Sequence, residues 1–363
     1  MKSISIYRAN ALLLLLILLG IILHYGKTFL VPLFFSILLA MLMLPICNKL
    51  EKWGVGRIGS TLIGILIILL FIAMIIAIIA AQGVTLAEDW PKMQSKAMEF
   101  IKTAQTWISD TYGITAGEQQ TYAQKGMDKM SSSGGQALGS LMSAALGFLT
   151  SFVLIILYFF FWMWKREKYK EFLLKLVQKE NQAEVSRELD QITHVAAQYL
   201  IARLISMLFL AAFYMIGFSI VGLPNGLLVA LVAVLPTIVP YVGAFIGGFF
   251  PLAMVLVGGS PEMLIPIAAI LVVAQVLDNN IIEPLVEGQS LDISPVFTIV
   301  AIVLGELVWG VAGMVLFIPM FAILKIICDH IPSLNPYGFL LTNEMDEPKW
   351  VTKLQSFFSG KKK

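Results

Sequence analysis

The sequence predicts an all-α polytopic membrane protein of about eight transmembrane segments, two of them re-entrant hairpins broken by Gly and Pro in the C-terminal half. Three observations carry this. Charged residues make up 13% of the 363 residues, against about a quarter in an ordinary soluble domain. Hydrophobic residues reach 58%, mean hydropathy is +0.86, and the charges bunch together, leaving long uncharged runs. Beyond residue 225, Gly and Pro cut the apolar sequence at intervals shorter than a bilayer is thick.

A hydrocarbon core about 30 Å thick takes about 20 apolar residues in helix. Residues 1–82 supply three such spans, at 9–26, 28–47 and 58–82, the first two joined through Lys27 as a tight hairpin. Lys2 and Arg8 ahead of the first span resemble the basic region of a signal peptide, but no small-residue cleavage site follows, so no cleavage is expected. Residues 83–139 form a polar insertion whose apolar pattern (Trp90, Met93, Ala97, Phe100, Ile101, Ala104, Trp107, Ile108) predicts amphipathic helix ahead of a Ser- and Gly-rich stretch. A fourth span covers 140–164, with Trp162 and Trp164 as interfacial anchors, and amphipathic helices follow over 165–200. Residues 201–327 are read as a transport core and 328–363 as a tail.

Lys and Arg near membrane ends set the orientation. Lys49, Lys52 and Arg57 mark one cytoplasmic loop, and Lys165, Arg166, Lys168 and Lys170 another. The N- and C-termini then fall in the cytoplasm of a cell whose inner membrane holds the chain, and by parity 83–139 lies outside. Cys47 and Cys328 both sit at cytoplasmic edges, so no disulfide is expected.

The core opens with a fifth span at 201–222 and then changes character. Residues 226–239 and 241–257 would make helices of about 21 and 26 Å, each shorter than the hydrocarbon core. They fit a re-entrant hairpin over about 225–258 with its tip at 236–243, where Pro236 and Pro240 remove amide donors and Gly243 follows. Irregular backbone at that depth is tolerated beside a watery cavity, so the tip predicts one. An intact segment at 262–282 follows. A second broken pair then spans about 295–325, interrupted by Gly305, Glu306, Gly310, Gly313 and Pro319. Two such pairs flanking an intact span point to inverted repeats and a midplane site in secondary transporters. Strongly tilted full spans give the same parity; the segment lengths favour hairpins.

The stretch Pro236-Thr-Ile-Val-Pro240-Tyr-Val-Gly243 with Gly247, then Gln275-Val-Leu-Asp278-Asn279-Asn280-Ile-Ile-Glu283-Pro284, Gly288, Leu291, Pro295, and the series Gly305, Gly310, Gly313, Pro319 resemble the autoinducer-2 exporter (AI-2E) family of permeases. The resemblance is specific over 236–319 and rests on hydropathy in the first 200 residues. It implies an oligomeric transporter that exports a small polar signal or exchanges sodium for protons.

Ionisable residues at membrane depth are functional candidates by default. Asp278 and Glu283 bracket Asn279 and Asn280, with Gln275 one turn earlier, and together they make a polar cluster suited to a substrate or cation; the plainer reading is a solvated helix end. Glu306 stands at the expected tip of the second hairpin, where a desolvated carboxylate could load and unload a proton or sodium. Arg203 reads as a snorkelling anchor at the start of span five. Gly243 and Gly247 have the spacing that lets two helices approach, within the hairpin or against another subunit. Tyr241, Phe245 and Trp309 read first as packing or belt aromatics and second as pathway lining.

Enzyme chemistry finds no motif. There is no His-Glu-x-x-His and no Gly-x-Ser-x-Gly. Gly26-Lys27-Thr28 fails as a phosphate loop because Ile21 stands where its first glycine belongs. The three His residues are too scattered for a metal site, no cofactor is expected, and a net charge of +2 gives no reason to expect nucleic acid. The expected partners are the lipid bilayer, a small polar substrate or H+/Na+, and further copies of the chain as a homo-oligomer. The leading expectation is an ion-driven exporter, with a Na+(Li+)/H+ antiporter and a non-transporting membrane scaffold as alternatives.

Overall fold

A computed structural model describes residues 6–77, 95, 99, 102, 103, 106, 151–287 and 292–343. The expected amphipathic pattern of 83–139, the opening of the fourth span and the tail beyond 343 fall outside the described residues. Those residues are nearly all helical and include no strand. Five helices are long and apolar enough to cross a membrane: Lys27–Lys52, Arg57–Ala77, Lys179–Val221, Pro261–Val286 and Val311–His330. The protein is a polytopic membrane protein.

The helices are α1 (Ile6–Tyr25), α2 (Lys27–Lys52), α3 (Arg57–Ala77), α4 (Ser151–Trp164), α5 (Arg166–Lys175), α6 (Gln182–Val221), α7 (Gly226–Val234), α8 (Val242–Gly258), α9 (Leu264–Leu277), α10 (Glu283–Glu287), α11 (Pro295–Trp309), α12 (Val311–His330) and α13 (Asn335–Leu341). One boundary differs from expectation. The second amphipathic helix of 165–200 and span five are a single 40-residue helix, α6, because residues 182–221 contain no Pro and only Gly217 to interrupt the ladder. α6 stops where Gly222 takes φ +77° and the Leu223 amide donates back to the Phe218 carbonyl at 2.9 Å, closing the end with a left-handed cap.

The chain divides into two compact units. One comprises residues 1–69, 151–205 and 283–363. In it α2, α3 and α4 meet around Cys47, whose thiol donates to the Ser60 carbonyl, and around Gly64, where an added Cβ would lie 3.3 Å from Cys47 Sγ and 3.5 Å from Phe159. Both cysteines are buried free thiols. At the end of α2, Glu51 accepts from Arg166 Nη2 at 2.6 Å and from the Ser60 hydroxyl at 2.9 Å. A small apolar core of Ile192, Val195, Ile293, Ala322 and Ile326 joins α6 to α12.

α11 and α12 fold back on each other about Gly310, whose φ of +63° and ψ of −142° suit only glycine. Gly305 and Gly313 face each other across this hairpin so closely that a Cβ on either would land on the other's carbonyl oxygen. The turn therefore sits at Gly310, one helical turn beyond the tip expected at Gly305-Glu306; the earlier glycine serves close packing. Replacing Gly305 or Gly313 with Ala should cost roughly 2–3 kcal/mol each. The double substitution should cost less than the sum, because a single separation of the helices relieves both clashes. Unfolding free energies of the three variants in lipid–detergent micelles check this, and strict additivity would remove the shared contact as the cause.

The other unit comprises residues 70–150 and 206–282. Leu210, Tyr214 and Phe218 of α6 pack against Val229, Ala230 and Ala233 of α7, Val255 of α8, and Ile267, Leu271 and Ala274 of α9. α7 leads through the 3₁₀ turn Leu235–Ile238 into α8, and the pair folds back sharply. The Gly243/Gly247 face of α8 does this work within the hairpin. A Cβ at Gly243 would strike the Pro236 carbonyl, and one at Gly247 the Ala233 carbonyl.

Three carbonyls of the expected tip, those of Pro236, Val239 and Pro240, are bonded inside it, and Val234 just ahead of it accepts as well. Thr237 Oγ1 donates to Val234 O at 2.6 Å, Val239 N to Pro236 O at 3.0 Å, Gly243 N to Val239 O at 2.9 Å and Val242 N to Pro240 O at 2.7 Å. The last bond closes a three-residue γ-turn that holds Tyr241 at φ +60°, ψ −64°. This is strained backbone for a residue with a Cβ.

Candidate functional site: the polar turn after α9

The polar residues picked out between 275 and 283 lie on one helical rod whose pitch changes within it. α9 is followed by a π-helical turn, Asp278–Ile282, and then by α10. Pro284 explains the widening, since proline has no N–H to donate and its ring crowds the carbonyl four residues earlier. The expected break at Glu283-Pro284 thus takes the form of a wide turn just ahead of it. π-turns inside helices recur at functional sites. Widening displaces carbonyls from the i−4 ladder, and Asn280 Nδ2 donates to one of that spacing, Val276 O, at 2.9 Å. Gln275 Nε2 donates to Asn279 Oδ1 at 2.9 Å. Gln275 is half-buried, and Asn279 and Asn280 are exposed.

Asp278 is not a solvated helix end. It is 1% exposed, and its Oδ2 accepts from the hydroxyl of Ser206, itself buried, at 2.6 Å. Both residues belong to the same unit. Hydrogen bonds to charged groups are short and about twice as strong as neutral ones. A buried carboxylate beside a hydroxyl offers hard oxygen donors, which can hold a proton or a small hard cation. Among the described residues no group of three His, Cys, Asp or Glu side chains could hold a metal ion. Sequence reasoning passed over Ser206, whose signal was a hydroxyl inside the apolar run from Leu204 to Leu210.

In the other unit, Glu283 accepts from Arg203 Nη2 at 3.0 Å. Arg203 is 8% exposed, so it is a buried ion-pair partner and not the snorkelling anchor the sequence suggested. Its guanidinium meets a carboxylate three residues from the point where Gln198 Nε2 donates to the Val286 carbonyl, so two polar links tie α6 to α10.

Glu306 lies elsewhere. It is in α11, exposed, one turn before Gly310, whose amide donates to its carbonyl at 2.8 Å. The protein's own groups therefore do not desolvate its carboxylate. Trp309, by contrast, is buried, donates from Nε1 to the Leu23 carbonyl at 2.8 Å and packs against Phe34 and Phe317, as a packing aromatic would. Tyr241 and Phe245 are exposed. Pro240, Gly243, Gly305, Gly313 and Pro319 are buried, while Pro236 and Gly310 are half-buried.

Residues 12–333 match the family described as AI-2E family transporter. The chain belongs to the AI-2E transporter family. Relatives of this AI-2E chain carry transport names. "Putative transport protein YueF" of Bacillus subtilis (strain 168) is 27% identical over 82% of this chain and 84% of its own length. "AI-2 transport protein TqsA" of Escherichia coli (strain K12) is 22% identical over 91% and 94%. "Putative permease PerM" of the same strain is 26% identical over 90% and 94%. Family and relatives agree on a transporter or permease, and extend the resemblance of 236–319 to nearly the whole chain.

Proposed function

We propose that this chain is a secondary transporter that exports a small polar signal or metabolite of the autoinducer-2 kind and draws on an ion gradient. One observation carries the reading: Asp278, a fully buried carboxylate bonded to Ser206, in a helix long and apolar enough to span a bilayer. Burying an ionisable group there is costly, and such residues mark substrate or ion pathways by default. The name of TqsA supports the substrate class. In this reading the hairpins α7–α8 and α11–α12 are re-entrant, giving about eight segments with α1, α2, α3, α4, α6 and α9. Both termini face the cytoplasm, the membrane is the inner one, and the working unit is a homo-oligomer. Gln275, Asn279, Asn280 and Glu283 flank the carboxylate along the same rod, and Glu306 is a second, separate candidate for handling ions.

A Na+(Li+)/H+ antiporter is the second reading, favoured by the same pair, because a carboxylate and a hydroxyl suit sodium and protons alike. Everted vesicles and proteoliposomes separate the two. Autoinducer-2 efflux that collapses when an ionophore dissipates the gradient, without sodium-induced pH change, is the expected result. Sodium-induced pH change without signal efflux would make it the antiporter. Silence in both assays would leave a non-transporting scaffold.

A further inference from the structure

A cavity of about 470 Å³ lies entirely within one unit, among α2, α4, α5 and the early part of α6. Its apolar walls come from residues such as Ile37, Met41, Leu44 and Ile192. Its other end is charged, with Arg166 and Lys170 set beside Glu167 and Asp190. Glu167 and Asp190 have side chains 64% and 69% exposed, so this end meets solvent. Trp162, tilted against Tyr169 at 4.4 Å, and Lys165, stacked over Trp164 at 3.9 Å, give the same level the aromatic and basic make-up of a bilayer interface. An apolar hollow with a charged rim at an interface fits an amphiphile.

The charge set selects which one. Two cations and two carboxylates leave the rim balanced, so a purely anionic headgroup would face the carboxylates as well as the cations. A headgroup with both a phosphate and a primary ammonium complements all four. Arg166 gives a seat for the phosphate: its side chain lines the cavity and stays 18% exposed, while Nη2 is engaged by Glu51 at 2.6 Å and Nε lies 3.7 Å from Glu167. A guanidinium carries five N–H donors, more than these two carboxylates use, and its planar fork suits phosphate oxygens. Asp190, bonded to Lys170 at 2.8 Å, keeps accepting capacity for an ammonium. A primary ammonium donates three hydrogen bonds, whereas a quaternary choline donates none.

We propose that this cavity binds an aminophospholipid, with the phosphate on Arg166, the ammonium on Asp190 and Glu167, and the start of an acyl chain against Ile37, Met41 and Leu44. The site is independent of the transport reading.

Native mass spectrometry of the purified full chain in micelles tests it with phosphatidylethanolamine, phosphatidylcholine, phosphatidylglycerol and free glycerophosphoethanolamine as probes. Phosphatidylethanolamine should be retained about tenfold more than either other lipid, the loss expected from one charge-assisted bond. Asp190→Asn, at an exposed carboxylate that leaves the fold undisturbed, should erase that preference. Met41→Trp should fill the hollow and lower retention of all three lipids; should Met41→Trp not fold, Asp190→Asn decides alone. Equal retention of the three lipids, a preference for phosphatidylglycerol, an unchanged preference in Asp190→Asn, or displacement by the free headgroup at equal concentration would each overturn the proposal.

Discussion

Asp278→Asn is expected to bring transport in proteoliposomes down to the level of protein-free vesicles while the protein still folds. Asparagine has nearly the shape of aspartate, and its Oδ1 can still accept from the Ser206 hydroxyl, so the packing around α9 is kept. What it cannot do is alternate between charged and neutral forms or present two carboxylate oxygens to a cation. Ser206→Ala should act in the same direction but more weakly. It removes one donor to a charged group, worth about 1.5–3 kcal/mol, and leaves the carboxylate in place. Glu306→Gln provides the contrast, because Glu306 is exposed on α11 and outside the unit that holds Asp278. Initial efflux rates, read beside unfolding temperatures, separate lost chemistry from lost structure. If Asp278→Asn and Glu306→Gln both leave flux unchanged, an ion-coupled carboxylate is not part of this protein's mechanism.

The spans of α2 and α3 were legible because apolar length alone decides them: both fall where uncharged runs of about 20 residues stand. The continuity of α6 was hidden by a change of character. Residues 182–200 carry an amphipathic pattern and 201–221 are apolar throughout, so hydropathy suggests two elements where the backbone, lacking any breaker, makes one. Asp278 was legible as a candidate, but its surroundings were not, because burial depends on which residue of another helix arrives beside it. Ser206 is 72 residues away in sequence. The π-turn had a local cause in Pro284, yet a proline after Asn-Asn also fits a simple helix end, and sequence does not separate the two.

Glycine carried two meanings that pattern reading merged. Gly310 makes a turn through its positive φ, whereas Gly305 and Gly313 let two backbones touch, and only the structure separates these roles. For Gly243 and Gly247 the spacing told of a close approach but left open its partner, and both press α8 on the α7 arm. Tyr241 was least legible of all. An aromatic residue held at positive φ by a γ-turn runs against its backbone preference, so no propensity argument could place it there.

Arg203→Leu and Glu283→Leu should each destabilise the protein by about 3–5 kcal/mol, and the double substitution by much less than their sum. The reason is electrostatic asymmetry. The pair is held at 3.0 Å with side chains 10% and 26% exposed, so removing either partner takes an opposite charge away from the other where water reaches it poorly. Removing both takes the two opposite charges away together, and replacing a buried pair with apolar side chains is often close to neutral. Arg203→Lys tests geometry more finely: a lysine keeps the charge but not the planar fork, so partial loss is expected. A double-mutant cycle on unfolding free energy in lipid–detergent micelles gives the coupling directly. Coupling near zero would mean that α6 and α10 are held by packing and by the Gln198 link alone, and that Arg203 acts independently of Glu283.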